Sequence, residues 1–137
     1  MTIQAAAYSL VIDIGKTHVK LHVLDSKFNS IFSKQMKNTV VNEGAFPSIN
    51  TNEIWGWLIA GIKEITPAYR INAINITTHG ATAALIDRNS VDTDGLVLPI
   101  LDYEYTGVYS QSPGYESVRP SFDDTFSPSL PAGLNMV

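Results

Sequence analysis

The 137-residue chain contains no cysteine. Disulfides and thiolate metal sites are therefore excluded within it. Histidine is scarce as well, with three scattered residues, so a zinc site has no ligand set to draw on. An excess of positive charge is also missing. Nine Lys and Arg face thirteen Asp and Glu, for a net charge of −4, which leaves no basic footprint for nucleic acid. No apolar run reaches the length of a membrane span. The opening stretch Met1-Thr2-Ile3-Gln4-Ala5-Ala6-Ala7 has neither a basic n-region nor a long apolar core. No signal peptide is expected, and a cytoplasmic location is the default. The rest of the composition is ordinary, 45% apolar and 16% charged, in a length that suits one domain with a proper core.

The strongest local pattern lies near the start. The apolar run Leu10-Val11-Ile12 leads into Asp13-Ile14-Gly15-Lys16-Thr17, after which Val19, Leu21 and Val23 alternate with Lys20 and His22. This predicts a buried strand over 8–14, a short Gly-containing turn, and a half-buried strand over 18–24. Such a turn can aim several backbone N–H groups at one anion. A carboxylate at the strand end beside that anion makes sense when a divalent cation accompanies it. Mg²⁺ held by one carboxylate, waters and phosphates fits. The pattern D-x-G-x-[ST] is short, and a plain hairpin whose Gly supplies φ > 0 and whose Asp caps the turn is the alternative.

After a polar turn at 25–29, a third strand over 30–37 completes an antiparallel meander. A loop spans 38–48. Asn50 with Glu53 three residues later resembles a capping box, and Ile54, Leu58, Ile62 and Ile65 fall on one helical face. Trp55 and Ile59 widen that face, and both tryptophans read as core or edge packing residues. Pro67 ends the helix, because the residue before proline avoids the α region. Further strands are expected over 71–78, 81–87 and 96–101. Beyond Gly107, Ser, Pro, Gly and Tyr dominate, and little regular structure is expected. The division is 8–107 as the ordered part and 108–137 as an irregular segment.

Three antiparallel strands with D-x-G-x-T at the first turn, an amphipathic helix and a further strand resemble the opening of the actin-like ATPase (ribonuclease H-like) fold, an α/β class. Thr78-His79-Gly80 at a strand end, a short strand ending in Asp87, and Pro99-Ile100-Leu101-Asp102-Tyr103-Glu104 narrow the resemblance to the N-terminal portion of the FGGY carbohydrate kinases. The tail over 125–135 looks like a stretch of a rhamnulokinase-like subgroup.

The resemblance implies ATP and Mg²⁺ as cofactors and a small sugar as substrate. Asp13 would hold the Mg²⁺, through water. The backbone at Gly15 and Lys16, with the Thr17 hydroxyl, would contact the β- and γ-phosphates. Lys20 stands where many relatives carry an Arg, and would act as a point charge. Thr78 and His79 would touch the sugar, and Tyr103 and Glu104 would line its pocket. Read on the residues alone, Lys20 could be the exposed residue of an alternating strand, and His79 could close a strand end. Tyr103 could be an ordinary strand aromatic, and Asp102 and Glu104 could mark a solvated edge.

Two departures stand out. Lys16 replaces the Thr that many relatives have after the Gly. The chain is also short: the relatives' catalytic Asp lies in a later segment, and their adenosine pocket lies mostly in a C-terminal domain. The expectation is a fragment with no catalytic residue of its own, negligible kinase activity, and a partner in the missing C-terminal domain. Its uncovered sheet would favour dimerisation. A non-enzymatic actin-like nucleotide-binding module is the alternative.

Overall fold

Strand β1 (Tyr8–Ile14) buries Leu10 and Ile12, and β2 (His18–Leu24) buries Val19, Leu21 and Val23. The alternation read for β2 holds. In β1 it holds too, where the apolar run suggested burial on both faces: Val11 is only half-buried. β3 (Ser30–Lys37) pairs antiparallel with β2. The meander is therefore as expected.

Two residues each form β4 (Val40–Val41) and β5 (Ser48–Ile49), which pair antiparallel inside the segment read as a loop. Helix α1 (Thr51–Ile65) follows, with Asn50 as its N-cap. The Asn50 side chain accepts from the Glu53 N–H at 3.2 Å, and its amide donates to the Glu53 carboxylate at 2.9 Å. The Thr39 hydroxyl donates to the same carboxylate at 2.7 Å. A cap of this kind contributes about 1 kcal/mol to the helix. Ile54, Leu58, Gly61 and Ile65 are the buried stripe.

Two expectations about α1 need correction. Trp55 is 66% exposed, not core, because it lies one helical step off the buried stripe. The helix stops at Ile65, yet Thr66 itself keeps αR geometry at φ −63 and ψ −27. Pro67 ends the helix by lacking an N–H for the next bond, not by forcing Thr66 out of the α region.

Strand β6 (Ile71–Thr78) then pairs parallel with β1, giving the sheet order β3-β2-β1-β6. Tyr69, just before β6, meets the Tyr8 ring edge-on, with centroids 5.4 Å apart. The apolar residues Ile74 and Ile76 of β6 are 56% and 62% exposed.

No strand forms over 82–87 or 96–101; Ala81 lies outside the described residues. Ile86 and Leu96 make one isolated bridge, and Leu101 makes another with Ser48. Two one-turn helices, α2 (Tyr115–Val118) and α3 (Phe122–Thr125), interrupt the segment expected to be irregular. Ser121 caps α3, accepting from the Asp124 N–H.

The computed structural model describes residues 7–80, 82–90, 94–107, 114–126 and 128. They divide into two compact units. One comprises Met1–Thr39 and Asn50–His79, and holds the four-stranded sheet and α1. The other comprises Val40–Ile49 and Gly80–Val137. Among the described residues, no helix is long and apolar enough to cross a membrane.

Candidate functional site

The turn between β1 and β2 is closed by its own backbone. The Gly15 N–H donates to the His18 carbonyl at 2.9 Å. A Cβ on Gly15 would stand 3.0 Å from that same oxygen, tighter than side chains ordinarily come to a backbone carbonyl. Among the described residues the glycines with positive φ are Gly44 and Gly95. The constraint at Gly15 is therefore space and not a left-handed backbone, contrary to the plain-hairpin expectation. Its N–H is also spent inside the turn, which removes it from the set of donors read for a phosphate.

Neighbouring strands hold the carbonyls of this segment. The Thr78 hydroxyl, at the end of β6, donates to the Ile14 carbonyl at 3.0 Å. The Asn38 side-chain amide donates to the Gly15 carbonyl at 2.8 Å, and the Asn38 N–H donates to the Thr17 carbonyl at 2.9 Å. Four carbonyls around the turn, those of Ile14, Gly15, Thr17 and His18, thus point at protein donors.

Asp13 and Lys20 face each other across the β1–β2 ladder. The Lys20 ammonium sits 3.3 Å from the Asp13 carboxylate, with the side chains 38% and 33% exposed. At that exposure the pair contributes at most about 1 kcal/mol. The Thr17 side chain is exposed, with the His18 ring nitrogen 3.2 Å from its hydroxyl.

Parallel pairing of β1 with β6 brings the carboxyl ends of both strands to one edge of the sheet. Asp13 lies opposite Thr77, and Ile14 opposite Thr78. His79 follows directly, half-buried. Asp13, Gly15, Lys16, Thr17, Lys20, Thr78 and His79 are thereby collected at one end of the first unit. In α/β sheets, ligands bind outside the carboxyl ends of parallel strands.

Tyr103 and Glu104 belong to the second unit. They form a turn, not the strand edge weighed as the alternative for this stretch. The Asp102 N–H donates to the Pro47 carbonyl at 2.9 Å, and the Asp102 carboxylate accepts from the Glu104 N–H at 3.2 Å. Asp102 is 8% exposed while Glu104 is exposed, so the two carboxylates do not share one solvated face. The Tyr103 side chain is half-buried.

Asn38 was not among the residues singled out in the sequence. A signal for it existed. In a meander, the end of the third strand returns to the start of the second, and Lys37 does pair with His18. The next residue must then lie against the first turn.

Neither a protein-family model nor a curated protein matches the sequence. Solved structures match the fold. A carbohydrate kinase from Novosphingobium aromaticivorans aligns at TM-score 0.78 and 27% identity, over 96% of this chain and 27% of that one. A gluconate kinase from Lactobacillus acidophilus aligns at TM-score 0.67 and 14% identity, over 82% and 23%. The glycerol kinase of Plasmodium falciparum, solved with ADP, aligns at TM-score 0.65 and 17% identity, over 86% and 24%. The chain spans about a quarter of the length of these kinases. Its mixed α/β fold matches the carbohydrate kinases of the actin-like ATPase type, as the sequence resemblance implied.

Proposed function

We propose that this chain is the N-terminal portion of an ATP-dependent carbohydrate kinase, with the β1–β2 turn as its Mg–nucleotide phosphate site. One observation supports the reading: the chain matches a carbohydrate kinase fold over 96% of its length, and Asp13 lies at the carboxyl end of β1, beside the Gly15–Thr17 turn.

The donor set suits magnesium. Among the described residues there is no cluster of three or more His, Cys, Asp or Glu. A lone, part-exposed carboxylate is what Mg²⁺ uses when waters and phosphates supply its other ligands. Asp13 would hold the ion, which when bound would neutralise phosphate charge. Lys20, paired with Asp13 at this end of the sheet, would supply a point charge to the phosphate. The Thr17 hydroxyl and the Lys16 backbone complete the phosphate contacts.

Thr78 and His79 sit at the same sheet end and are assigned to the sugar. Thr78 can still accept a hydrogen bond while donating to Ile14. Tyr103 and Glu104 are assigned to the sugar pocket on the resemblance alone. No residue of this chain is assigned as the base, and a base is worth roughly 10²–10⁴ in rate. The chain by itself therefore turns over negligibly, in keeping with the N-terminal portion of a cytoplasmic sugar kinase whose base lies in a later segment and whose adenosine pocket lies mostly in a C-terminal domain.

Calorimetry with MgATP on the wild type and on Asp13→Ala tests the reading, alongside a sugar-phosphorylation assay on the same samples. The expected result is weak, Mg²⁺-dependent binding, weakened at least about tenfold in the variant, a loss the size of one charge-assisted contact, with no turnover above background. Mg²⁺-independent binding, or equal affinity in Asp13→Ala, would sink the phosphate-site assignment.

A further inference from the structure

Asn38 braces the turn proposed to receive phosphate at two points. Asn38 follows the last residue of β3 and reaches the turn twice. Its side-chain amide donates to the Gly15 carbonyl at 2.8 Å, and its N–H donates to the Thr17 carbonyl at 2.9 Å. The two anchored carbonyls lie two residues apart, on either side of Lys16. We infer that Asn38 is a positioning residue for the phosphate turn, setting the direction of its backbone N–H groups for a nucleoside triphosphate. The inference rests on the nucleotide reading given above.

The reason is the geometry of the peptide bond. In a planar trans peptide, the C=O of one residue and the N–H of the next point in opposite directions. Pinning the Gly15 carbonyl toward Asn38 turns the Lys16 N–H to the opposite side of the turn. Pinning the Thr17 carbonyl does the same for the His18 N–H. The third contact, from the Gly15 N–H to the His18 carbonyl, closes the loop so that neither plane can rotate alone. A phosphate-binding turn gains from such bracing, because donors already aimed need no reorganisation when the anion arrives.

Asn38 is suited to this by its length and its chemistry. It is part-buried, and its carboxamide offers a donor where Asp would present only acceptors. Asn38→Asp keeps the size and the backbone bond. It places a carboxylate oxygen against the Gly15 carbonyl, where repulsion loosens the turn.

The test uses the 137-residue chain as wild type, Asn38→Ala and Asn38→Asp. Three quantities are read: MgATP affinity by calorimetry, amide exchange by NMR without nucleotide, and the urea unfolding midpoint. Loss of one hydrogen bond that orients the turn should weaken MgATP about five- to tenfold in Asn38→Ala, and at least as much in Asn38→Asp. Exchange of the Gly15 amide, which donates to the His18 carbonyl across the turn, should accelerate, while the amides of Ile12 and Leu21 in the strand ladder keep their protection. Wild-type binding with unchanged affinity in both variants would leave the nucleotide reading intact and overturn the role of Asn38. Absence of MgATP binding by the wild type would overturn both. Protection lost throughout the sheet, with the midpoint falling in step, would make Asn38 a fold-holding residue and overturn the inference. Should Asn38→Ala fail to fold, Asn38→Ser, which retains a shorter donor, takes its place in the same comparison.

Discussion

Two glycines in α1 face opposite environments, and replacing each by alanine separates helix propensity from packing. Gly56 is exposed, and a methyl group added there would meet nothing within 4 Å. Gly61 is buried, and a Cβ there would overlap Cδ1 of Leu21 on β2. Leu21 is 0% exposed, so its side chain can yield only by displacing neighbours in the core. Alanine gains about 0.8–1.0 kcal/mol over glycine inside a helix. Gly56→Ala should therefore stabilise the chain by about that amount. Gly61→Ala collects the same gain but meets an overpacking cost of about 1–3 kcal/mol. The difference between the two variants isolates the packing term, because the propensity terms cancel. Leu21→Val removes the Cδ1 methyl in conflict, at a cost of about 1 kcal/mol alone. In the Gly61→Ala background it should cost less, with a coupling of about 0.5 kcal/mol or more between the two sites. Urea unfolding of all four variants, at constant slope, gives each value. If Gly61→Ala stabilises as much as Gly56→Ala, or if the double variant is strictly additive, α1 is not seated on Leu21 as described.

The other predictions concern acid stability and the open strand. Asp25 has its carboxyl held below the ordinary 3.8, first by the Asn29 side-chain amide and then by the Asn29 N–H. Its folded pKa is thus lower than its unfolded one, so its contribution is present above about pH 4 and is lost as pH falls from there through the lowered folded value. Acid titration of stability should accordingly be shallower below pH 3.8 in Asp25→Ala than in the wild type, and an identical slope would count against the turn geometry. Strand β6 exposes Ile74 and Ile76 beside an edge that pairs with no further strand among the described residues, and self-association through it should appear in light scattering at high concentration. Ile76→Lys, a charge of the kind that protects natural edges, should reduce it; a monodisperse wild-type monomer would refute this.

The sequence by itself determined the elements whose patterns are local. Val19, Leu21 and Val23 alternate because a strand presents one face every second residue, so β2 could be read without knowing its neighbours. Asn50, Glu53 and the stripe from Ile54 to Ile65 marked α1 from start to finish, since capping and helical period act within a few residues. The motif at Asp13–Thr17 marked the turn between β1 and β2 for the same reason. Tertiary structure decided what depends on a distant partner. The stretches 81–87 and 96–101 carry strand-like residues, but a strand exists only where another pairs with it, and Ile86 and Leu96 find each other at a single bridge. Val40–Val41 and Ser48–Ile49 look like loop and pair nonetheless. Asp13 and Lys20, seven residues apart, become an ion pair only through the β1–β2 register. Thr78 reaches Ile14 only because β6 runs parallel to β1. Asn38, unmarked in the sequence, gains its place from the return of β3 to the start of β2. Residue type and spacing are properties of the chain, whereas register between distant segments is settled by which apolar faces can be buried together.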